Sequence, residues 1–232
     1  FTVIEPGAGS GLLGRDVLSF SRSLSSGFSE ALKYVRVERF TPLKGVADHS
    51  SWVVGQNLPL RDVTGCILSN ELLDSMPVRR FRIHDKRVME VFVTLREDTL
   101  EEVLGEPSTE EIPARVRRAI GTALQEGLQG EVNLGLETWA TEVARTLARG
   151  FILTVDYGGT AKELYTTDRT QGTLRCYYKH TVNVNPYIRL GQQDITSHVD
   201  FSELREAGER QGLITLGYVT QREFLQNLGA DA

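Results

Sequence analysis

The sequence has few cysteines and no long apolar run. Its 232 residues include only two cysteines, Cys66 and Cys176, and neither belongs to a C-x-x-C pair. Such spacing does not suit a zinc site or a disulfide scaffold, so we expect reduced thiols in or near the core of a cytoplasmic protein. No stretch of eighteen apolar residues occurs, which argues against a membrane-spanning helix.

The chain also lacks an excess of basic charge. It has 26 lysines and arginines against 31 acidic residues, a formal net charge of −5, which disfavours a protein that binds duplex nucleic acid. Its size suits one α/β domain with an insertion, or one and a half domains. The sequence opens on Phe1, inside a predicted core strand and without a methionine, so we expect a segment to precede it.

A short apolar strand at the start of the chain runs into a glycine-rich turn. Phe1–Ile4 is rich in β-forming residues, Glu5 follows it, and glycine then occupies every second position, at Gly7, Gly9 and Gly11. A strand, a glycine turn and a helix form the first half of the βαβ unit that binds nucleotide-like ligands. We expect Gly7 to allow the exit from the strand, Gly9 to let the backbone approach the ligand and Gly11 to allow close packing at the helix start.

The helix after this turn is predicted from apolar residues at helical spacing. They are Leu13, Val17, Phe20 and Leu24. This face should be buried, and the free amides of the first turn should face a ligand carboxylate or phosphate.

Two ligand classes compete for the glycine turn. Gly9–Gly14 satisfies the G-x-G-x-x-G of a dinucleotide site, but that turn should begin directly after the strand, and counting from Gly7 puts the third glycine on Leu12. The pattern that fits from the strand end is E-x-G-x-G-x-G, which resembles the first motif of class I S-adenosylmethionine (SAM) methyltransferases. In those enzymes the acid, here Glu5, faces the methionine end of the cofactor. A glycine turn without a ligand is the third interpretation.

A second strand is predicted to end in Glu38, which lies 38 − 11 = 27 residues past Gly11. An acid at this strand end hydrogen-bonds the ribose hydroxyls in nucleotide-binding folds. The alternative is a surface acid beside Arg39. Asn57 and Leu58, after a short third strand, are predicted to contact the adenine.

A fourth strand, Cys66–Ser69, delivers a polar run that contains Asn70, Glu71 and Asp74. In open α/β sheets the chemistry gathers at the carboxyl ends of the strands, near the point where strand order reverses. These side chains should therefore project from that edge, opposite the glycine turn. The alternative is a solvated helix start with Asn70 as its N-cap.

The middle of the chain is predicted to be an insertion. Apolar residues alternate from Arg79 to Leu95 around Asp85 and Lys86, which predicts an antiparallel hairpin. The charge-rich residues 96–118 should be exposed and lead into a helix near 112–126. They form either a solvated face, or a lid or docking surface.

The last third returns to the α/β pattern. Its predicted elements are a helix at 136–147 stopped by Gly150, an apolar strand at 151–156, a helix at 201–211, a strand at 213–219 and a helix at 221–228. The predicted fold is therefore α/β, a class I methyltransferase (Rossmann-like) fold with a mostly parallel sheet, helices on both faces and an inserted hairpin and helical region. We divide it into 1–78, the first half of the SAM-binding domain; 79–135, the insertion; and 136–232, the second half with a long functional loop at 157–200.

Five segments together resemble the MidA-like SAM-dependent methyltransferases, bacterial relatives of the mitochondrial complex I assembly factor that methylates a protein arginine. The segments are Glu5-x-Gly7-x-Gly9-x-Gly11, Ser69–Val78, Val155–Gly158, Gly172–Arg175 and Asp194–Phe201. Family members also carry an N-terminal region that closes over the cofactor and a C-terminal extension, neither of which is visible in this sequence.

The resemblance implies a bacterial cytoplasmic enzyme that uses SAM to methylate an arginine of a protein substrate, such as a respiratory-complex subunit. The residues expected to bind SAM are Glu5, Gly7, Ala8, Gly9, Gly11, Glu38, Asn57, Leu58 and Asn70. Glu71 and Asp74 are the expected carboxylates at the guanidinium, with His198 and Asp200 as a second acid/base group, although His198 also suits a structural role.

Two other functions stay open from the sequence. A SAM-binding but non-catalytic scaffold could assist the assembly of a partner that docks on residues 79–118. A nicotinamide-dependent oxidoreductase is the third option, and it depends on the dinucleotide interpretation of the glycine turn.

Overall fold

The computed structural model describes residues 1–40, 50–122, 124–166 and 169–230. The chain divides into two compact units. The first comprises Phe1–Leu72, Trp139–Val155 and Arg205–Ala232, and the second comprises Leu73–Thr138 and Asp156–Leu204.

The strands and helices are numbered in chain order. The strands are β1 (Thr2–Pro6), β2 (Lys33–Glu38), β3 (Ser51–Val54), β4 (Val63–Asn70), β5 (Arg79–His84), β6 (Arg87–Arg96), β7 (Thr99–Gly105), β8 (Gln129–Val132), β9 (Leu147–Val155), β10 (Gly158–Gly159), β11 (Arg175–Tyr178), β12 (Thr181–Asn183), β13 (Asp194–Thr196) and β14 (Val199–Asp200). The helices are α1 (Leu12–Leu24), α2 (Ser26–Ala31), α3 (Glu111–Ile120), α4 (Gly135–Thr146), α5 (Ala161–Leu164), α6 (Phe201–Arg210) and α7 (Gln221–Asn227).

The first unit is built on a five-stranded sheet in the order β3-β2-β1-β4-β9. All four pairings are parallel, and Ile4 of β1 lies opposite Val35 on one side and Ile67 on the other. Ile4 and Ile67 are fully buried, as expected for central strands of a parallel sheet. The strand order reverses beside β1, so the glycine turn after β1 lies where such sheets bind ligands. The predicted α/β fold with a mostly parallel sheet is confirmed.

The sequence predicted that Gly150 stops a helix, and this prediction is wrong. Helix α4 ends at Thr146, and Gly150 lies within β9. A Cβ at this position would stand 1.8 Å from the carbonyl oxygen of Gly65 on β4. The glycine is therefore required by the close approach of two strands.

The apolar face predicted for α1 is buried only in part. Val17 is half-buried and packs against the core of the first unit, whereas Phe20 and Leu24 are 65% and 59% exposed. A Cβ at Gly14, a buried residue of this helix, would lie 2.6 Å from the ring of Tyr34 on β2. The helix therefore approaches the sheet too closely for a large side chain at this position.

The predicted strand at 213–219 is also wrong. Within the described residues this segment pairs with no strand, and Ile214 and Leu216 are 82% and 77% exposed. Its alternating apolar pattern suits a strand, but pattern alone supplies no hydrogen-bonding neighbour. The helix predicted after it is confirmed as α7.

The second unit contains an antiparallel sheet in the order β7-β6-β5-β8. The predicted hairpin is β5 and β6, and Asp85 and Lys86 join them with φ values of 49° and 56°, as a two-residue type I′ turn requires. The charge-rich segment that follows forms the strand β7, which the sequence did not predict. Its charged residues suggested a solvated segment, but every residue of β7 pairs with β6, and β7 is an edge strand of the sheet.

A helix covers this sheet and closes the core of the second unit. The core residues are Phe81, Ile83, Val88, Ile112, Val116, Leu128 and Val132. The helix, α3, ends at Ile120, earlier than predicted, because Gly121 adopts φ +77° and its amide donates to the carbonyl of Arg117. Ala123, in the last part of the predicted helix, lies outside the described residues.

Two small sheets complete the second unit, β12-β11-β13 and β10-β14. Their short strands lie within the segment predicted as a long loop at 157–200, of which Thr167 and Asp168 lie outside the described residues. In the part of the chain that the structure describes, every helix is too short or too polar to cross a lipid bilayer.

Candidate functional site

The glycine turn after β1 adopts a backbone that glycine favours. Gly7, Gly9 and Gly11 have φ values of 69°, 56° and 81°, in the left-handed region. The Gly7 amide donates to Val37 on β2 over 2.9 Å, and the Gly11 amide donates to Ala8 over 2.8 Å. The turn is therefore fixed to the second strand and closed on itself.

Gly9 is the open position of this turn. A Cβ on Gly7 would stand 2.8 Å from the side chain of Leu72, whereas a Cβ on Gly9 would meet nothing within 4 Å. The Gly9 amide donates to Oε1 of Glu38 at the end of β2, over 2.5 Å. The turn thus presents bare backbone and a carboxylate side by side, which suits a ligand with adjacent hydroxyls.

The first turn of α1 adds an anion-binding element. Gly11 is its N-cap, no side chain caps it, and no acidic residue lies in the first turn. The first amides of an α-helix have no partner within the helix and carry a partial positive charge. They suit a carboxylate or a phosphate, the two groups that the sequence predicted for this position.

Glu38 makes contacts that the sequence interpretation did not include. Its Oε1 accepts from Gly9, and its Oε2 accepts from the Arg39 amide over 3.2 Å. A carboxylate has about four lone-pair sites, so two backbone contacts leave capacity for ligand hydroxyls.

Glu5 is more buried than a simple ligand contact requires. It is 4% exposed, the hydroxyl of Tyr34 donates to its Oε2 over 2.9 Å, and Nε of Arg36 lies 4.0 Å from the same oxygen. Burial raises the pKa of Glu5, while the hydrogen bond from Tyr34 and the charge of Arg36 oppose that increase. Sequence reasoning missed Arg36 altogether.

The predicted adenine contacts, Asn57 and Leu58, follow β3. Asn57 is exposed and Leu58 is 4% exposed. The Leu58 amide donates to Glu142 of α4 over 3.0 Å, and Glu142 also pairs with Arg61 at 3.3 Å. Helix α4 therefore holds this segment in place. The two partners are 84 residues apart along the chain, so sequence spacing could not predict their contact.

Asn70 ends β4, and Glu71 follows it in a strained backbone. Glu71 has φ 48° and is exposed, and its amide donates to Val155 of β9 over 2.9 Å. A non-glycine residue in this region costs about 1–3 kcal/mol, and such strain concentrates at functional sites. No helix begins at Asn70 in the described chain, so the N-cap alternative is wrong.

Asp74 lies in the second unit beside a cleft. It is 5% exposed, and its carbonyl accepts from the Ser197 amide over 2.9 Å. The cleft has a volume of about 360 Å³. Its lining includes Asp74, Met76, Val78, Arg80, Tyr187 and Ser197.

The charge of Arg80 in this cleft is balanced within the unit. Arg80 hydrogen-bonds Glu102 of β7, and the Tyr187 hydroxyl also donates to Glu102 over 3.0 Å. Burial alone would raise the pKa of Glu102, but the hydrogen bond and charge of Arg80 outweigh it, so this pKa is lowered.

His198 and Asp200 lie in different surroundings. The His198 amide donates to Thr173 over 3.0 Å, and burial together with the nearby Arg169 and Arg175 lowers its side-chain pKa. The neutral form of its imidazole is therefore favoured, and Nδ1 lies 3.4 Å from Nη1 of Arg169, from which it can accept a hydrogen bond. Oδ1 of Asp200 accepts from two amides at the start of α6, Ser202 at 2.9 Å and Glu203 at 3.2 Å, as an N-cap does.

The fold and the turn define a class of protein. A parallel sheet with β1 at its centre, a glycine turn after β1 and an acid ending β2 are the parts of a Rossmann-like nucleotide-cofactor enzyme. A family model described as "Putative S-adenosyl-L-methionine-dependent methyltransferase" matches residues 1–219, and the chain belongs to that family. This confirms the predicted resemblance, and SAM rather than a nicotinamide dinucleotide is the cofactor of the family.

The chain is similar to curated proteins and solved structures over all or nearly all of its length. It is 28% identical to the Mus musculus mitochondrial protein arginine methyltransferase NDUFAF7, covering 100% of this chain and 57% of that protein. The Drosophila melanogaster homologue is 25% identical, with 58% of its length covered. A Burkholderia thailandensis protein crystallised with S-adenosyl-homocysteine is 31% identical, with a TM-score of 0.86 over 98% of this chain and 60% of that one. The chain thus spans less than two thirds of these relatives.

Proposed function

We propose that this chain is the core of a SAM-dependent methyltransferase that methylates an arginine of a partner protein. Family membership supports the reaction class, and the names of the curated relatives support arginine as the acceptor. The observation that carries the proposal is the open Gly9 backbone beside the Glu38 carboxylate.

The residues of the first unit fit the cofactor. Glu38 would accept from the ribose hydroxyls, and the first amides of α1 would receive the carboxylate of the methionine part. Glu5 would face the methionine end of the ligand, and Asn57 and Leu58 would face the adenine. The turn residues, including Ala8, and Asn70 would contact the body of the ligand. When bound, SAM supplies a methyl group on a positively charged sulfur, and S-adenosyl-homocysteine is left after transfer.

The chain's carboxylates suit a guanidinium acceptor. A guanidinium stays protonated in proteins and is a poor nucleophile until a base removes a proton. Glu71 would orient it and receive the proton that its nitrogen loses as the new N–C bond forms. Asp74, the second carboxylate that the sequence predicted at the guanidinium, lines a largely apolar cleft of the second unit.

Calorimetric titration of the full-length protein with SAM and with NAD tests the cofactor. Binding of SAM and no heat from NAD are expected, and the reverse result would contradict the proposal. Labelling with methyl-labelled SAM and a lysate as acceptor, followed by peptide mass spectrometry, tests the acceptor. We expect the label on arginine, and a label only on lysine would reject that assignment.

A non-catalytic scaffold is the second candidate. Exposed apolar side chains on the β6–β7 hairpin favour it, since Val93 is 50% and Leu95 65% exposed on one face of β6. The resemblance suggests a respiratory-complex subunit as the partner that would dock on this part of the insertion at 79–135. The scaffold hypothesis predicts that Leu95→Glu weakens partner association and that Gly9→Ala leaves it unchanged. The bacterial cytoplasm stays a prediction for either function.

A further inference from the structure

Strand β2 supports the glycine turn through three side chains on one face. Residues two apart on a strand point to the same side, and Tyr34, Arg36 and Glu38 have this spacing. Tyr34 donates to Glu5, Arg36 donates to the carbonyl of Gly11, and Glu38 accepts from Gly9. Each of the three therefore contacts a different part of the motif that precedes α1.

Arg36 is the most deeply enclosed of these residues. It is 0% exposed, and its guanidinium lies between two aromatic rings, 5.5 Å from the centre of Tyr34 and 5.1 Å from that of Trp52. Its Nη2 donates to Gly11 over 2.9 Å, and its Nη1 donates to the hydroxyl of Ser50. A planar guanidinium can stack and donate in two directions at once, which the ammonium of lysine cannot do.

The guanidinium also fills the space beneath the turn. A Cβ on Gly11 would lie 2.9 Å from Nε of Arg36, and a Cβ on Gly14 would lie 2.7 Å from Nη2. Both glycines are therefore in closer contact with Arg36 than a side chain would permit. The position of this arginine determines where the turn ends and where α1 begins.

We propose that Arg36 is a positioning residue for the cofactor, which holds the Gly11 carbonyl and the start of α1 so that the Gly9 backbone and the first helical amides face the ligand. This inference rests on the proposed function, because it assumes that the turn binds SAM. Stability alone does not call for an arginine here, since well-packed apolar residues replace buried ion pairs at little cost. Two directed hydrogen bonds from one planar group, one to Gly11 of the turn and one to Ser50, do call for one.

The test compares Arg36→Met with Arg115→Met in the full-length protein. Arg115 is a matched control, because its side chain is 10% exposed and it pairs with Glu203 at 3.3 Å in the second unit. Hydrogen exchange of the peptide that contains residues 7–14 is measured without SAM, and SAM affinity is then measured well below the melting temperature of each variant. Arg36→Lys is included because lysine keeps the positive charge but lacks the planar guanidinium that donates in two directions.

We expect Arg36→Met to accelerate exchange of the turn and to weaken SAM binding, each at least tenfold. Arg36→Lys should fall between Arg36→Met and the wild type, and Arg115→Met should lower the melting temperature alone. Unchanged exchange and affinity in Arg36→Met would overturn the inference. If the wild-type protein binds no SAM, the proposed function fails, and exchange of the turn still decides whether Arg36 orders it.

Discussion

The glycine turn of the first unit and the Arg80 cluster of the second unit hold their polar groups in different ways. At the turn, Glu38 accepts from the Gly9 amide, and the ends of two neighbouring strands place both partners. In the Arg80 cluster, long side chains pair across large sequence distances, as Arg80 does with Tyr187, 107 residues away. The contact at the turn follows from the regular spacing of a βαβ unit, whereas the Arg80 pairs depend on the completed fold. Four experiments test and sharpen this difference.

The largest effect is expected at Glu71, the strained carboxylate of the first unit. Glu71→Gln removes the proton acceptor and should lower kcat about 10²–10⁴-fold, the usual contribution of general base catalysis. SAM affinity should stay within a few-fold, as measured by calorimetry. Glu97→Gln is the control, because Glu97 is an exposed glutamate with a similar φ of 45°. Normal turnover by Glu71→Gln would remove the role assigned to this residue.

A packing change in the second unit should have the next largest effect. Phe81 is fully buried, so Phe81→Ala should lower the free energy of unfolding by about 3–5 kcal/mol through lost contacts and a cavity. Urea unfolding followed by circular dichroism measures this. Phe20→Ala, at a residue 65% exposed on α1, should change stability by less than about 1 kcal/mol. A large loss at Phe20 would show that this face of α1 is covered in solution.

Gly9→Ala separates ligand contact from backbone strain. An alanine at φ +56° should cost about 1–2 kcal/mol of stability, as should Gly127→Ala at φ +81°, where a Cβ also meets nothing within 4 Å. SAM affinity should fall at least tenfold in Gly9→Ala only, because its methyl group would enter the ligand space. Equal affinities in the two variants would place the cofactor elsewhere.

The smallest effect is expected from the pair of Arg80 and Glu102. The pKa of Glu102 is lowered in the folded protein, so its stabilising contribution is present above the unfolded value of about 4.3 and disappears as the pH falls through the folded value. Glu102→Gln should cost less than about 1 kcal/mol at pH 7. The difference between variant and wild type should shrink as the pH falls below about 4.3, and an undiminished difference at acidic pH would show that the ion pair is not the cause.

The same contrast explains what sequence reasoning found and missed. Glu5, the three alternating glycines and Glu38 were recognisable because the chain geometry of a βαβ unit fixes their spacing. Arg36 was missed, since nothing in a local pattern shows that a charged residue on a strand will lie between Tyr34 and Trp52. The capping role of Asp200 could have been found, because an aspartate directly before a predicted helix is a known start signal.

Errors in the fold have the same origin. Phe20 and Leu24 of α1 were predicted as buried, since apolar periodicity does not tell which residues of a helix can approach a sheet closely. Strand β7 was missed because its charges suggested solvent, although an edge strand accepts charge well. The strand predicted at 213–219 was wrong because a strand needs a neighbour as well as a pattern.

Trp52 gives the first unit a built-in optical reporter. The chain has two tryptophans, and Trp52 reaches to within 2.8 Å of where a Cβ on Gly11 would stand. An indole stacked on a guanidinium at the edge of the glycine turn changes its surroundings whenever that turn does. Once Trp139 is replaced by phenylalanine, the emission of the remaining indole reports occupancy and release in real time, without a label or a coupled assay.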